Sequence, residues 1–142
     1  MRKKKNGKIL WRKGGGELIG FGIVMPMLVF MFCCIISAAQ VSMATETLQY
    51  AAYSSCRAAV VSADKVTAES RAKTVAMEMA EDSGVIETDT MDVTLTLLDT
   101  TLPWMKGNFV RCDVSAYVKT MAPFTSGMRT ASIVMMVERP SS

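Results

Sequence analysis

The sequence predicts an α+β protein: a long N-terminal helix that is first a transmembrane span and then a stem, a second helix, and a three-stranded antiparallel sheet. Three observations carry this. Residues 18–39, LIGFGIVMPMLVFMFCCIISAA, hold no charged side chain, and none occurs between Glu17 and Glu46. Residues 40–62 contain no Gly or Pro and repeat apolar side chains at spacings of three and four, the helical signature. Residues 91–97 and 110–118 alternate apolar and polar residues, the signature of a strand buried on one face.

The apolar run comes first. At about 1.5 Å per residue it matches the roughly 30 Å hydrocarbon core of a bilayer. Eleven of its residues are Leu, Ile, Val or Phe, favouring insertion by about 3–7 kcal/mol. Gly20, Gly22, Pro26 and Ser37 reduce that gain without reversing it. A core helix of a soluble domain rarely runs this long without a polar face. Pro26 removes one backbone hydrogen bond and crowds the carbonyl of Gly22, so a kink or loosened turn is expected over residues 22–26. Membrane helices tolerate such prolines. Cys33 and Cys34 read as small apolar fillers.

Charge gives the orientation. Residues 1–16 carry seven Lys or Arg and no acid, whereas the remainder has nine bases and thirteen acids. A basic block directly before a span keeps the N-terminus in the cytoplasm and sends the C-terminal part outside. With Trp11 as its only aromatic, the block does not read as a nucleic-acid site. The organisation that follows is a basic cytoplasmic leader (1–16), a transmembrane helix (17–39), a helical stem (40–62) and an extracytoplasmic α+β domain (63–142). Residues 1–13 are expected to be disordered, and Gly14, Gly15 and Gly16 to form a flexible joint open to a processing protease.

In the stem, Val41, Ala44, Leu48, Ala52, Cys56, Ala59 and Val60 form the apolar stripe. Ser62 and Asp64 are N-cap candidates for a second helix over residues 65–83, with Ala68, Ala72, Val75, Ala76 and Met79 facing inward and Gly84 at its C-terminal end. The strands follow. Met91, Val93, Leu95 and Leu97 define the first, and Val110, Cys112, Val114, Ala116 and Val118 the second. The third, residues 131–138, is apolar on both parities, as expected if both faces are buried or if it lies against a neighbour. Short connections favour an antiparallel meander, with stem and second helix covering one face.

The chain has no histidine, which removes Ser-His-Asp and Cys-His catalysis and the commonest metal ligand. It has no phosphate-binding Gly loop, no CxxC and no paired-carboxylate motif. No catalytic residue, metal site or cofactor is expected. The acids Glu78, Glu81, Asp82, Glu87, Asp89 and Asp92 fit no EF-hand spacing. Cys56 and Cys112 both point to the apolar side of their elements. In an exported domain they are either a disulfide or two separate buried thiols. Trp104 lies in a loop, as a partner contact or folded over the sheet edge. Tyr50 and Tyr53 are expected to pack on the domain.

Four segments carry a family resemblance: Arg12-Lys13-Gly14-Gly15-Gly16, Phe21-Gly22-Ile23-Val24-Met25-Pro26, Leu48-Gln49-Tyr50-Ala51-Ala52-Tyr53 and Cys56-Arg57-Ala58-Ala59-Val60-Val61. With a basic leader, a glycine, a helix with an early proline and an Ala-rich stem before an antiparallel sheet, the chain resembles the TadE-like minor pseudopilins of tight-adherence (Tad) pili, best over residues 12–62. The resemblance implies a pilin-like fold and a prepilin peptidase cutting after Gly14, Gly15 or Gly16. In the last case Glu17 becomes the first residue. Family members commonly carry a Glu directly before the Phe of the helix; Gly20 stands there in this chain, with Glu17 three residues earlier. The partners implied are other pilin or pseudopilin subunits and an inner-membrane assembly platform, met through a helix whose Gly20, Gly22 and Pro26 supply close packing and bending. The expected function is a non-enzymatic structural or assembly subunit in the cytoplasmic membrane or in a surface pilus. The rivals are a simply anchored binding domain, a secreted one released at Ser37-Ala38-Ala39, and a single-pass enzyme, which without histidine would need unusual Asp, Cys or Lys chemistry for which the sequence shows no constellation.

Overall fold

The computed structural model describes residues 10–101 and 103–138, without the side chains of residues 10–15 and 17. The elements are α1 (Leu10–Val60), α2 (Lys65–Glu81), β1 (Ile86–Leu97), β2 (Phe109–Val118), a 3-10 turn (Pro123–Thr125) and β3 (Gly127–Met136). The strands form one antiparallel sheet in the order β1-β2-β3, so the α+β class is as expected. The chain divides into two compact units, Met1–Ile36 and Ser37–Ser142.

In the first unit, α1 begins at Leu10 and runs without interruption through Pro26. The glycine triplet, expected to be a joint, is therefore helical. Extending an existing helix gains one hydrogen bond per residue fixed and avoids the cost of nucleation. Residues 1–9 of the leader lie outside the described residues.

The second unit is built on a core shared by three layers of sequence. From α1 come Ala44, Leu48, Ala51, Ala52, Cys56, Ala59 and Val60; from α2 come Ala68, Ala72, Ala76 and Ala80; from β2 come Val110, Cys112, Val114, Ala116 and Val118. The α2 stripe has a spacing of four and is entirely alanine, which lets α2 lie close to β1. Met79, expected inside, is exposed, and Met77 packs against the core instead. Asp64 caps α2 by accepting the Thr67 backbone N–H at 3.1 Å. Ser62, the other cap candidate, turns its hydroxyl back to the Ala58 carbonyl at 3.0 Å. Gly84 takes the left-handed conformation at φ 60°, two residues beyond the C-cap Asp82.

β1 starts five residues earlier than the alternation suggests, because a bulge lies between Glu87 and Asp92. An insertion of this kind changes which parity faces the core: Ile86 is buried on one side of it, Met91 and Leu95 on the other. Thr90 fills the irregularity, accepting the Tyr117 backbone N–H at 2.9 Å and donating to the Glu87 carbonyl at 2.8 Å. β3 is buried on one face only. Ala131 is buried and Ile133 and Met135 pack against the core, whereas Met128, Val134 and Met136 are exposed. The end of the strand is tied to the end of α1 by the Glu138 N–H donating to the Val60 carbonyl at 3.1 Å.

Two outcomes follow. Ala72 is fully buried, so Ala72→Leu should overpack the α2–sheet contact and cost about 1–3 kcal/mol. The control Val66→Ala, at a site 76% exposed, should change stability by less than about 0.5 kcal/mol; thermal denaturation compares the two. The hydrogen bonds from Thr67 hold the Asp64 carboxyl below its ordinary value of 3.8. A depressed folded-state pKa means the cap's contribution is complete above the unfolded value and is lost as pH falls through the folded one. Below about pH 4, α2 should therefore fray at its N-terminus, read as faster amide exchange at Thr67. Asp64→Asn should flatten that pH dependence.

Candidate functional site

The apolar flank of α1 is the largest feature that the chain does not use internally. Leu18, Ile19, Phe21, Ile23, Met27, Val29, Phe30 and Phe32 are all more than half exposed. The segment Leu18–Val60 contains the one helix, among the described residues, long and apolar enough to cross a membrane, and its most apolar window has a mean hydropathy of 2.6 with none of it buried. The exposed apolar residues reach from Leu18 to Ile36, which at 1.5 Å per residue is about 28 Å, close to the thickness of a bilayer core. A Cβ built at Gly20 or Gly22 would meet nothing within 4 Å. Pro26 lies in the unbroken helix, so the Gly22 carbonyl lacks its usual backbone donor. Of the candidate processing residues, Gly14, Gly15 and Gly16 are in the first turns of α1, and the side chain of Glu17 lies outside the described residues.

The head begins where that flank ends. Ser37 is fully buried, and its Oγ accepts the Ala122 backbone N–H at 3.0 Å. One turn on, Gln40 Oε1 accepts the Met121 N–H at 2.8 Å. The receiving loop is held in shape by Thr120, whose hydroxyl donates to the Ala122 carbonyl at 2.8 Å and whose N–H donates to Ser126 Oγ at 3.0 Å. These two bonds clasp the loop after β2 to the start of the stem. No sequence motif announces them, since a lone Ser and Gln on a helix have no spacing that encodes a partner more than eighty residues away.

Cys56 on α1 and Cys112 on β2 are both buried free thiols in one core cluster. Ser55 adds an Oγ contact to the Cys112 sulfur at 3.5 Å. The neighbouring Cys112 side chain, together with burial, pushes the Cys56 thiol up. Cys112 is drawn down to about 7 by hydrogen bonds from Cys56 and Ser55, against the opposing effect of burial. Cys33 and Cys34 are half-buried.

Other candidates fall away. Trp104 is 6% exposed and its indole N–H donates to the Ser62 carbonyl at 3.1 Å, so it closes the core at the stem's end and offers no surface to a partner. Tyr50 is 73% exposed and Tyr53 nearly half; neither packs on the domain as expected, because the buried stripe passes instead through Ala51, Ala52 and Ser55. The acidic run is divided: Glu78, Glu81 and Asp89 border one shallow groove, Glu87 another beside Tyr117 and Lys119. Among the described residues no group of three or more acids or thiols is placed to hold a metal ion. On the outer sheet face Phe109 lies across from Met136, with Val134 one pair away opposite Arg111, and all three apolar side chains are about half exposed.

Ser37→Ala should leave the Ala122 N–H buried without its acceptor, at a cost of about 1–3 kcal/mol. The readout is hydrogen exchange at the Ala122 amide, expected to quicken about tenfold or more while Thr67 is unaffected. No protein-family model, curated protein or solved structure matches this chain.

Proposed function

We propose that this chain is a non-enzymatic, membrane-anchored structural or assembly subunit of a bacterial Tad-type pilus or secretion system, of the TadE-like pseudopilin kind. Its basic end lies in the cytoplasm and its head outside. The observation that carries the reading is the exposed apolar flank from Leu18 to Ile36, on the same helix that supplies the head's core. Lipid can cover such a flank, and so can the flanks of sister helices. A subunit that passes from one covering to the other would use one surface for both. The seven cations of residues 1–16 support the orientation. Gly20 and Gly22, whose missing side chains none of the described residues fills, support close helix–helix approach. The partners in this reading are other pilin or pseudopilin subunits, an inner-membrane platform and a prepilin peptidase acting at residues 14–17.

The clasp speaks against the secreted rival. Cleavage after Ala39 would cut α1 between Ser37 and Gln40, which both hold the head's loop. A plain anchored binding domain is the second reading, favoured by the exposed apolar corner of Phe109, Val134 and Met136 on the sheet.

The intact mass of the chain recovered from cell envelopes separates these. Loss of 14 to 16 residues is the expected result, placing the cut after Gly14, Gly15 or Gly16. Loss of 39 residues would mean secretion, and a full-length chain with no associated pilin would mean a plain anchor. In parallel, Gly22→Leu should leave the head's thermal stability unchanged, since among the described residues nothing lies within 4 Å of a Cβ at that position, and should sharply reduce recovery of the chain with its partner subunits.

A further inference from the structure

We propose that Cys56 and Cys112 are joined by a disulfide in the exported protein, covalently fastening the stem helix to the middle strand of the sheet. Several observations converge on this pair. The two residues come from different elements, the stem and β2, and those elements touch where Ser55 Oγ stands 3.5 Å from the Cys112 sulfur. Each is fully buried in the one core cluster. Cys112 lies on the inward parity of β2, between Leu95 on β1 and Ile133 on β3 in the register, so the bond would fasten the stem to the only strand that pairs with both others. Ser55, adjacent to Cys56, touches the Cys112 sulfur while its hydroxyl donates to the Ala51 carbonyl at 2.6 Å, which fixes the stem's face toward β2. With Ser55 Oγ at 3.5 Å from the Cys112 sulfur, the next residue of the stem, Cys56, lies in the same buried layer as Cys112, and a disulfide needs two such inward side chains with their Cα atoms within about 7 Å. Outside the cytoplasm such a pair meets oxidants.

The chemistry is thiol–disulfide exchange with an external disulfide, either that of a dithiol oxidoreductase or a small-molecule disulfide. The Cys112 thiolate, beside the Ser55 hydroxyl, attacks one sulfur of the external disulfide. The external S–S bond breaks and a mixed disulfide forms with Cys112. Cys56 then loses its proton and attacks the Cys112 sulfur, expelling the second external thiolate. Two protein thiols are oxidised, one external disulfide is reduced to two thiols, and the two protons released by the cysteines end on those leaving sulfurs. Because both sulfurs are buried once the head has closed, the bond forms as the stem docks, before the core excludes the oxidant.

The inference rests on export of the head, part of the reading above. The test uses the full chain from cell envelopes, unfolded in an alkylating reagent without reductant, then digested and mapped. The expected result is a linked peptide containing Cys56 and Cys112, with alkyl groups on Cys33 and Cys34 alone. Reductant should lower the thermal midpoint of the isolated chain by about 10 °C or more, and should no longer do so in C56S/C112S. Protease digestion of the head in spheroplasts supplies the other arm. A digested, exported head with alkylated Cys56 and Cys112 overturns the disulfide and leaves the proposed function standing. A protected, cytoplasmic head overturns both.

Discussion

From Ala44 to Val60, α1 carries a buried side chain at every third or fourth position into the core cluster that holds the inward residues of β2, meeting that strand directly where Ser55 Oγ touches the Cys112 sulfur, and the rest of the head is arranged on that shared core. β2 has a neighbour on each edge, so its inward residues, Val110 to Val118, are flanked by β1 and β3 at the sides and buried in the same cluster as the stem's stripe. The stripe on α1 is made largely of alanine, with Leu48, Cys56 and Val60 as its larger members. Small side chains let the helix approach the sheet, and the few large ones set its rotation. α2 repeats the device with four alanines over β1. A core assembled from short side chains has little slack, which is why its ends are closed by hydrogen bonds: Trp104 to the Ser62 carbonyl at one end of the stem, Ser37 and Gln40 to the loop after β2 at the other.

The elements whose burial follows one uninterrupted period were legible in the sequence. β2 keeps strict alternation over its length and is buried in the same alternation. The Asp64 cap and the start of α2 were readable because a capping side chain acts on the residue three positions ahead, within the reach of local reasoning. The first half of β1 was hidden because the bulge breaks the parity that identifies a strand. β3 misled in another way: Met128, Val134 and Met136 are apolar yet exposed, so its composition suggested burial on two faces where the sheet covers one. The candidate site was legible only as far as it is a matter of composition. The charge-free run, the basic block and the two glycines could be read directly; the Ser37 and Gln40 clasp, which depends on a loop brought back by the fold, could not.

The same helix follows two different rules along its length, and the change falls between Ile36 and Ser37, where the two compact units meet in sequence. After it, polar side chains such as Ser37, Ser55 and Ser62 are buried and satisfied, and one apolar stripe is buried while Met43, Tyr50 and Tyr53 stay outside. Before it, apolar side chains are exposed all round, a distribution that water penalises and hydrocarbon does not.

Small residues sharpen the contrast. In the head, smallness is used by the chain itself: Ala68, Ala72, Ala76 and Ala80 are fully buried because α2 approaches that closely. In the flank, Gly20 and Gly22 face open space, and each costs about 1 kcal/mol of helix propensity relative to alanine. A glycine within a helix gives up that stability without return unless something comes near enough to use the absent side chain. Lipid tails gain nothing from the gap, since they pack as well around a methyl group. Another helix does gain, because dispersion contacts and backbone approach both improve as the axes close. If the flank were only an anchor, alanine at both positions would serve it better; if it is a surface that meets other helices, glycine at both positions follows.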